Sequence, residues 1–309
     1  MSTTNFSSDR SHLKSFYELL CSPSLVGGLQ QQLPICFVAV DILLSIIAFA
    51  GNSLILVALY KESTLHPPSK LLYRCLATTD LLVGLVAQPH MALRWMSVFQ
   101  EHWSLCQYAR DAANITGYVF ISVSLMTMTA VSVDRLLALL LGLRYKQIVT
   151  LKRTYIIVTT FWVFNLVASL CGFFDHRIIV LYSSLVISVC LVILLASYTK
   201  IFHILKNHQA QVLDHQQPSQ TNALNMARFR KAVYSALWVQ LALVVCYAPV
   251  CTVSIVIAHT KKYSLLSVVT REVAIILLCF NSTLNPFLYC WKISEVRQAV
   301  KQTIREALC

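Results

Sequence analysis

The chain has 309 residues, of which 57% are hydrophobic and only 12% charged, where a soluble domain carries roughly 25% charged residues. Its formal net charge of +12 is not that of a nucleic-acid-binding surface, because the Lys and Arg residues sit in short gaps between long apolar runs. The cysteines form no CxxC pair and no Cys/His spacing suited to zinc. Cys36, Cys75, Cys190, Cys246, Cys279 and Cys290 fall inside apolar runs and read as packing residues.

A helix crossing a bilayer core of about 30 Å needs roughly 20 apolar residues. Runs of that length lie at Pro34–Tyr60, Leu71–Met96, Cys106–Leu140, Tyr155–Phe174, Ile178–Leu205, Ala232–Ala258 and Leu265–Trp291. They predict an all-α membrane protein, a seven-transmembrane helix bundle over residues 34–291. Residues 1–33 form an external segment and 292–309 a cytosolic helix and tail. Lys and Arg are concentrated after the first, third and fifth spans and in the tail, which sets the N-terminus outside and the C-terminus in the cytosol. No hydrophobic run precedes residue 33, so the first span is expected to direct insertion itself. The sequon at Asn5 is a glycosylation candidate; those at Asn114 and Asn281 fall inside spans.

Charged groups in a bilayer are costly, so an ionisable residue within a span is a functional candidate. The first span carries Asp41 and Gly51-Asn52-Ser53, the second Asp80, the third Ser124, and the seventh Asn281 and Asn285. One carboxylate among amide and hydroxyl oxygens can hold a small hard cation, a water-filled hydrogen-bond network, or a proton on Asp80. Spacing alone does not choose. The third span ends in Asp134-Arg135-Leu136, which by itself reads as a snorkelling ion pair. The stretch Asn207–Asn225, rich in Gln and containing Pro218, reads as a mobile loop. Pro249 in the sixth span and Pro286 in the seventh are expected to loosen a turn each. In the tail, Ile293, Val296, Val300 and Ile304 share one face of an amphipathic helix on the inner leaflet, and Cys309 is a palmitoylation candidate.

In order along the chain, Gly51-Asn52, Leu76-Ala77-Thr78-Thr79-Asp80, Asp134-Arg135-Leu136, Trp162, Tyr198, Pro249 and Asn285-Pro286 with Tyr289 resemble the motifs of the rhodopsin-like G-protein-coupled receptor family. The resemblance implies a plasma-membrane receptor for an extracellular small-molecule, lipid or peptide ligand, coupled to a heterotrimeric G protein. It further implies a sodium pocket of Asp80, Ser124, Asn281 and Asn285. Arg135 would release Asp134 on activation and reach toward Tyr198 and Tyr289 as the sixth helix swings outward on Pro249. Leu143 would be the knob that plugs into the G protein. Tyr247 stands where the family usually has a tryptophan and Cys190 where the fifth helix has a proline, while Phe229 and its neighbours offer no acid to Arg135, which is expected to raise basal activity. The family's extracellular disulfide is expected to be absent. Arg110 occupies the usual third-helix cysteine position, with Cys106 one turn further out and Cys171 and Cys21 as its only candidate partners. These departures, with the very short Phe174–Ile178 connection, resemble the melanocortin, lysophospholipid, cannabinoid and adenosine group.

An ion channel or transporter using the Asp80 network is the alternative function, but the chain shows no inverted repeat and no Gly-rich helix break. No nucleophile elbow, phosphate loop or HExxH helix marks an enzyme. No nucleic-acid partner and no cofactor beyond sodium are expected. Monoamine receptors of the family hold the ligand ammonium with an aspartate about five turns outward of Arg135, where this chain has Gly117. An ammonium buried without a counter-charge is disfavoured by several kcal/mol, so a non-monoamine ligand is expected. Asp111, Arg94, Asn114, His90, Tyr182 and Tyr247 are the candidate contacts.

Overall fold

The computed structural model describes residues 19–26, 29, 32–61, 65–174, 176–215, 242–257, 259–260, 264–292 and 294–308. After a single helical turn at Pro23–Val26 come α1 (Gln32–Lys61), α2 (Pro67–Phe99), α3 (Trp103–Leu141), α4 (Leu151–Phe174), α5 (His176–His215), α6 (Ala242–Ile257), α7 (Leu265–Lys292) and α8 (Ser294–Leu308). Helices α1 to α5 and α7 are long and apolar enough to cross a membrane, and α6 is a shorter apolar helix. Leu181, Ile46, Phe164 and Leu170 point outward as a lipid-facing surface would require. The fold is the expected seven-transmembrane bundle with a C-terminal helix. Residues 232–241 and Ala258 of the predicted sixth span lie outside the described residues, as do Asn5, Phe229 and Cys309.

The predicted loop from Asn207 is corrected in its first part. α5 remains helical through His215, because no Gly or Pro interrupts Asn207–His215 and the first breaker is Pro218. The rest of that stretch lies outside the described residues.

α3 runs through the centre, packing against α2, α4 and α5. Its fully enclosed Val123 and Leu125 anchor the interior. α2 starts on Pro67 and Pro68, residues suited to a first turn because they lack the donors that would go unpaired there. Midway it widens into one π turn, Val83–Ala87, just before Pro89. That turn gives the proline ring room against the preceding carbonyls. At Gly84 the backbones of α1 and α2 come close enough for the Ser45 hydroxyl to donate to the Gly84 carbonyl at 2.6 Å. A Cβ there would lie 2.9 Å from both the Phe49 amide nitrogen and the Ser45 carbonyl oxygen. Gly51 plays the same part beside Pro286 of α7, whose ring carbon would sit 3.0 Å from an added Cβ.

The end of the bundle nearest the N-terminus is closed by Leu20, Cys21 and Val26, which are buried with Phe37, Val38, Trp95, Val98 and Val268. Cys21 is joined to Cys106 by a disulfide across 85 residues. Of the two candidate partners of Cys106, Cys21 takes the bridge and Cys171 stays free, because the segment before α1 folds back to the start of α3. Closing a loop of that length stabilises by about 4–5 kcal/mol in the chain-entropy account. At the opposite end, Val296, Ala299 and Val300 of α8 pack in one cluster with Ile55, Ala58 and Leu59 of α1. Ile304, expected on that face, is 41% exposed and falls off the stripe. Cys36, read as a packing residue, also faces outward. Lys61 bonds to Glu306 across the α1–α8 joint and holds its carboxyl below the usual carboxylate range. The tie therefore persists at neutral pH and is lost only as pH falls through that lowered value.

Gly84→Ala is expected to lower receptor stability by about 1–3 kcal/mol because both atoms it meets are backbone. Gly117→Ala, whose nearest neighbour would be the flexible Met91 tip at 3.5 Å, should leave stability nearly unchanged. Thermal unfolding of the two purified variants checks the contrast.

Candidate functional site

Three polar assemblies line the bundle's axis. The central one surrounds Asp80, which is fully buried. The Ser124 hydroxyl donates to its Oδ1 at 2.7 Å and the Asn285 amide to its Oδ2 at 2.6 Å. These are charge-assisted lengths, and such bonds are the strong ones. Asn281, one turn from Asn285 on α7, directs its amide to the Tyr247 hydroxyl at 3.4 Å. The Oδ1 atoms of Asn281 and Asn285 are buried without a donor. Of the four predicted sodium ligands, Ser124 and Asn285 therefore bond directly to Asp80, while Asn281 is turned to Tyr247. Asn52 braces the wall by donating to the Ala48 and Ser282 carbonyls at 2.8 and 3.1 Å.

The second assembly lies at the α8 end. Asp134 is buried and accepts from the Ser69 hydroxyl at 2.8 Å and the Tyr145 hydroxyl at 2.6 Å. Arg135 turns away from it and donates through Nε and Nη2 to the Tyr73 hydroxyl at 3.2 and 3.0 Å. The predicted Asp134–Arg135 ion pair is therefore not formed among the described residues. Successive helical positions do not face each other, and each side chain finds a better-placed partner on α2. Tyr198 accepts from Ser132 at 3.3 Å. The side chain of Tyr289 lies outside the described residues. Beyond α3, Gly142 takes φ +50°, a backbone state that favours glycine. The turn it makes leaves Leu143 99% exposed.

The third is a cavity between α3, α5, α6 and α7, about 740 Å³ including its open mouth. Of the predicted ligand contacts, Asn114, Gly117 and Tyr247 line it. The others stand apart from the lining. Asp111 pairs with Arg110 at 2.9 Å, and the His90 ring is engaged with the Val86 carbonyl at 2.7 Å. Tyr182 donates to the Asn165 amide oxygen at 3.3 Å. Arg94 is not an outer-pocket residue at all, being buried in an ion pair with Glu272 at 2.5 Å. Arg271, which is not among the predicted contacts, lines the cavity with Tyr118, Ser122, Ser183 and Ser254. Ser69, Tyr73 and Tyr145 are the partners of Asp134 and Arg135 that sequence reasoning missed. Tyr73 lies on α2 two turns from Asp80 toward α8, a spacing that places it on the same helical face. Tyr247 is the cavity's buried floor, so its bond to Asn281 joins the cavity to the Asp80 assembly.

Asn285→Leu should cost roughly 1–3 kcal/mol, because it strips a donor from a buried carboxylate. The exchange Asp80→Asn with Asn285→Asp should recover much of the loss by restoring an acid–amide pair. A double-mutant cycle on thermal stability reads the coupling.

With this geometry in hand, the comparisons are consistent with one another. The profile of seven-transmembrane receptors of the rhodopsin family matches residues 51–177. Melanocortin receptor 5 of Rattus norvegicus is 24% identical over 289 residues, spanning 86% of this chain and 83% of the relative. The receptor of the same name from Mus musculus is 23% identical over 289 residues with the same coverage. The Bos taurus protein is 24% identical over 284 residues. Alongside the bundle and its ordered motifs, these comparisons make the chain similar to the seven-transmembrane receptors of the rhodopsin family, melanocortin receptors among them.

Proposed function

We propose that the chain is a plasma-membrane receptor, N-terminus outside and C-terminus in the cytosol, that converts ligand binding in the α3–α5–α6–α7 cavity into activation of a heterotrimeric G protein. The observation that carries this reading is the continuous polar run from cavity floor to bundle centre: Tyr247 to Asn281, one turn to Asn285, then Asp80 and Ser124. A ligand that displaces Tyr247 acts directly on that run. Pro249, two residues along α6, and Pro286, next to Asn285, are the weak turns where displacement becomes helix motion.

Asp80, Ser124 and the Oδ1 atoms of Asn281 and Asn285 would hold a sodium ion, whose charge when bound offsets Asp80 and favours the resting arrangement. Arg135, held on Tyr73, is the group to be released. Freed, its guanidinium can reach Tyr198 and Tyr289 and line a cytosolic cleft. Leu143, fully exposed beyond Gly142, supplies the apolar contact for the G protein. The relatives are melanocortin receptors by name, which makes a melanocortin the first ligand to test. The acid-free site at Gly117 argues against simple monoamines.

Arg135→Ala should abolish nucleotide exchange on the G protein while surface expression stays close to wild type, as read by exchange assay and surface labelling. Wild-type exchange in this variant would overturn the assignment. Asp80→Asn should remove any sodium dependence of agonist affinity, and radioligand competition across sodium concentrations would show it. Robust activation by dopamine, serotonin or octopamine at sub-micromolar concentration would refute the reading of Gly117.

A further inference from the structure

Asp80 is not the bundle's only buried acid. Asp41 on α1 is 0% exposed, and neither carboxyl oxygen has a hydrogen-bond partner. The charged side chains facing it are Glu272 from α7 and Arg94 from α2, and α7 adds the Cys279 thiol on the same side. The two charges are already committed to each other. Arg94 Nη2 lies 2.5 Å from Glu272 Oε2, and the Trp95 indole donates to Glu272 Oε1 at 2.7 Å. One guanidinium serves two carboxylates, which leaves one negative charge over.

A second unpartnered buried group lies at a similar depth in the bundle. Gln88 is 0% exposed with both side-chain polar atoms unpartnered. Ser45 and Gly84 are in direct contact between the antiparallel α1 and α2. Asp41 and Gln88 each lie about one turn from that contact toward the N-terminal rim, which sets them at the same level on neighbouring helices. One turn beyond Asp41, Phe37 stacks on Trp95 at 4.8 Å between centroids, and the buried Leu20–Cys21–Val26 strap closes the space above. Neither Asp41 nor Gln88 is among the residues lining the ligand cavity.

We propose that Asp41 is a proton-binding site, with Gln88 as the hydrogen-bond partner of the protonated carboxyl and the Arg94–Glu272 pair as the reason the proton is needed. A lone buried carboxylate costs several kcal/mol, whereas a buried carboxylic acid paired with an amide does not. The proton comes from hydronium in the bathing solution and leaves as hydronium, so no other reactant is required. A metal ion fits less well. A hard cation seeks about six oxygens, the described surroundings offer two from Asp41 and one from Gln88, and Arg94 repels it. Linkage then makes the folded receptor more stable as the medium is acidified, because the folded chain holds a proton that the unfolded chain releases.

The test uses the full-length receptor in lipid nanodiscs without ligand or G protein, so it stands or falls independently of the proposed signalling role. Infrared spectra should show a protonated carboxylic-acid carbonyl band at neutral pH that is lost in Asp41→Asn and retained in Asp80→Asn. Glu272→Gln should also lose it, because Arg94 is then released to neutralise Asp41 as an ion. This variant keeps the proposal testable if Asp41→Asn fails to fold. Thermal stability should fall as pH is raised in the wild type, with that slope lost in Asp41→Asn and Glu272→Gln. A band or slope unchanged in either variant would overturn the proposal. So would stability in the Asp80→Asn background that follows sodium concentration and ignores pH.

Discussion

Inside a bilayer a carboxylate has no water to fall back on, and the way Asp80 is satisfied sets the relation of three helices at once. Its two oxygens take donors from α3 and α7 while its own backbone belongs to α2. Moving any one of the three strands a charge, so the bundle centre is a keyed joint and not merely an apolar contact. The close approaches at Gly84 and Gly51 serve this joint, since they let α1 seat against α2 and α7 without prising them from it. Asn52, bonded to Ala48 of its own helix and Ser282 of α7, is the corresponding key for α1.

The same scarcity of donors explains the α8 end. Asp134 and Arg135 each choose partners on or near α2, so the arginine is restrained by a neutral phenol and not by its neighbouring acid. Asp134 meanwhile ties α3 to Ser69 and to the short helix carrying Tyr145. A hydroxyl is a weaker anchor for a guanidinium than a carboxylate.

The spans, their number and order, and the Ser124 and Asn285 contacts to Asp80 were legible because membrane helices must be long and apolar, and because polar residues inside them stand out against that background. The partners of Asp134 and Arg135 were not legible. Adjacency in sequence suggests contact, while helix geometry sends neighbouring side chains apart. Tyr73 and Ser69 carry no charge to draw notice, and nothing in the sequence marks them as partners. Arg94 was misjudged for a related reason: its charge suggested an outer rim, and only the fold reveals Glu272 waiting 178 positions on. The Cys21–Cys106 bridge was legible only as one of two candidate pairings, because its first half lies in a polar segment with no periodicity to place it. The continuation of α5 through His215 was hidden by composition, since Gln-rich stretches read as loops whether or not anything breaks the helix.

A single residue joins α4 to α5, and one residue spans only about 3.3–3.6 Å. Just before it, Gly172 sits so close to the next helix that an added Cβ would approach the Ile179 Cβ to 2.6 Å. The two helices are therefore pinned together at that end, as two arms are by a fulcrum. Long α5, 40 residues from His176 to His215, can tilt about this point but cannot slide past α4. A small displacement beside Ser183 and Ile187, near the pivot, is multiplied at the far end by the ratio of the arms. A connection of one residue thus makes the 40-residue α5 a lever.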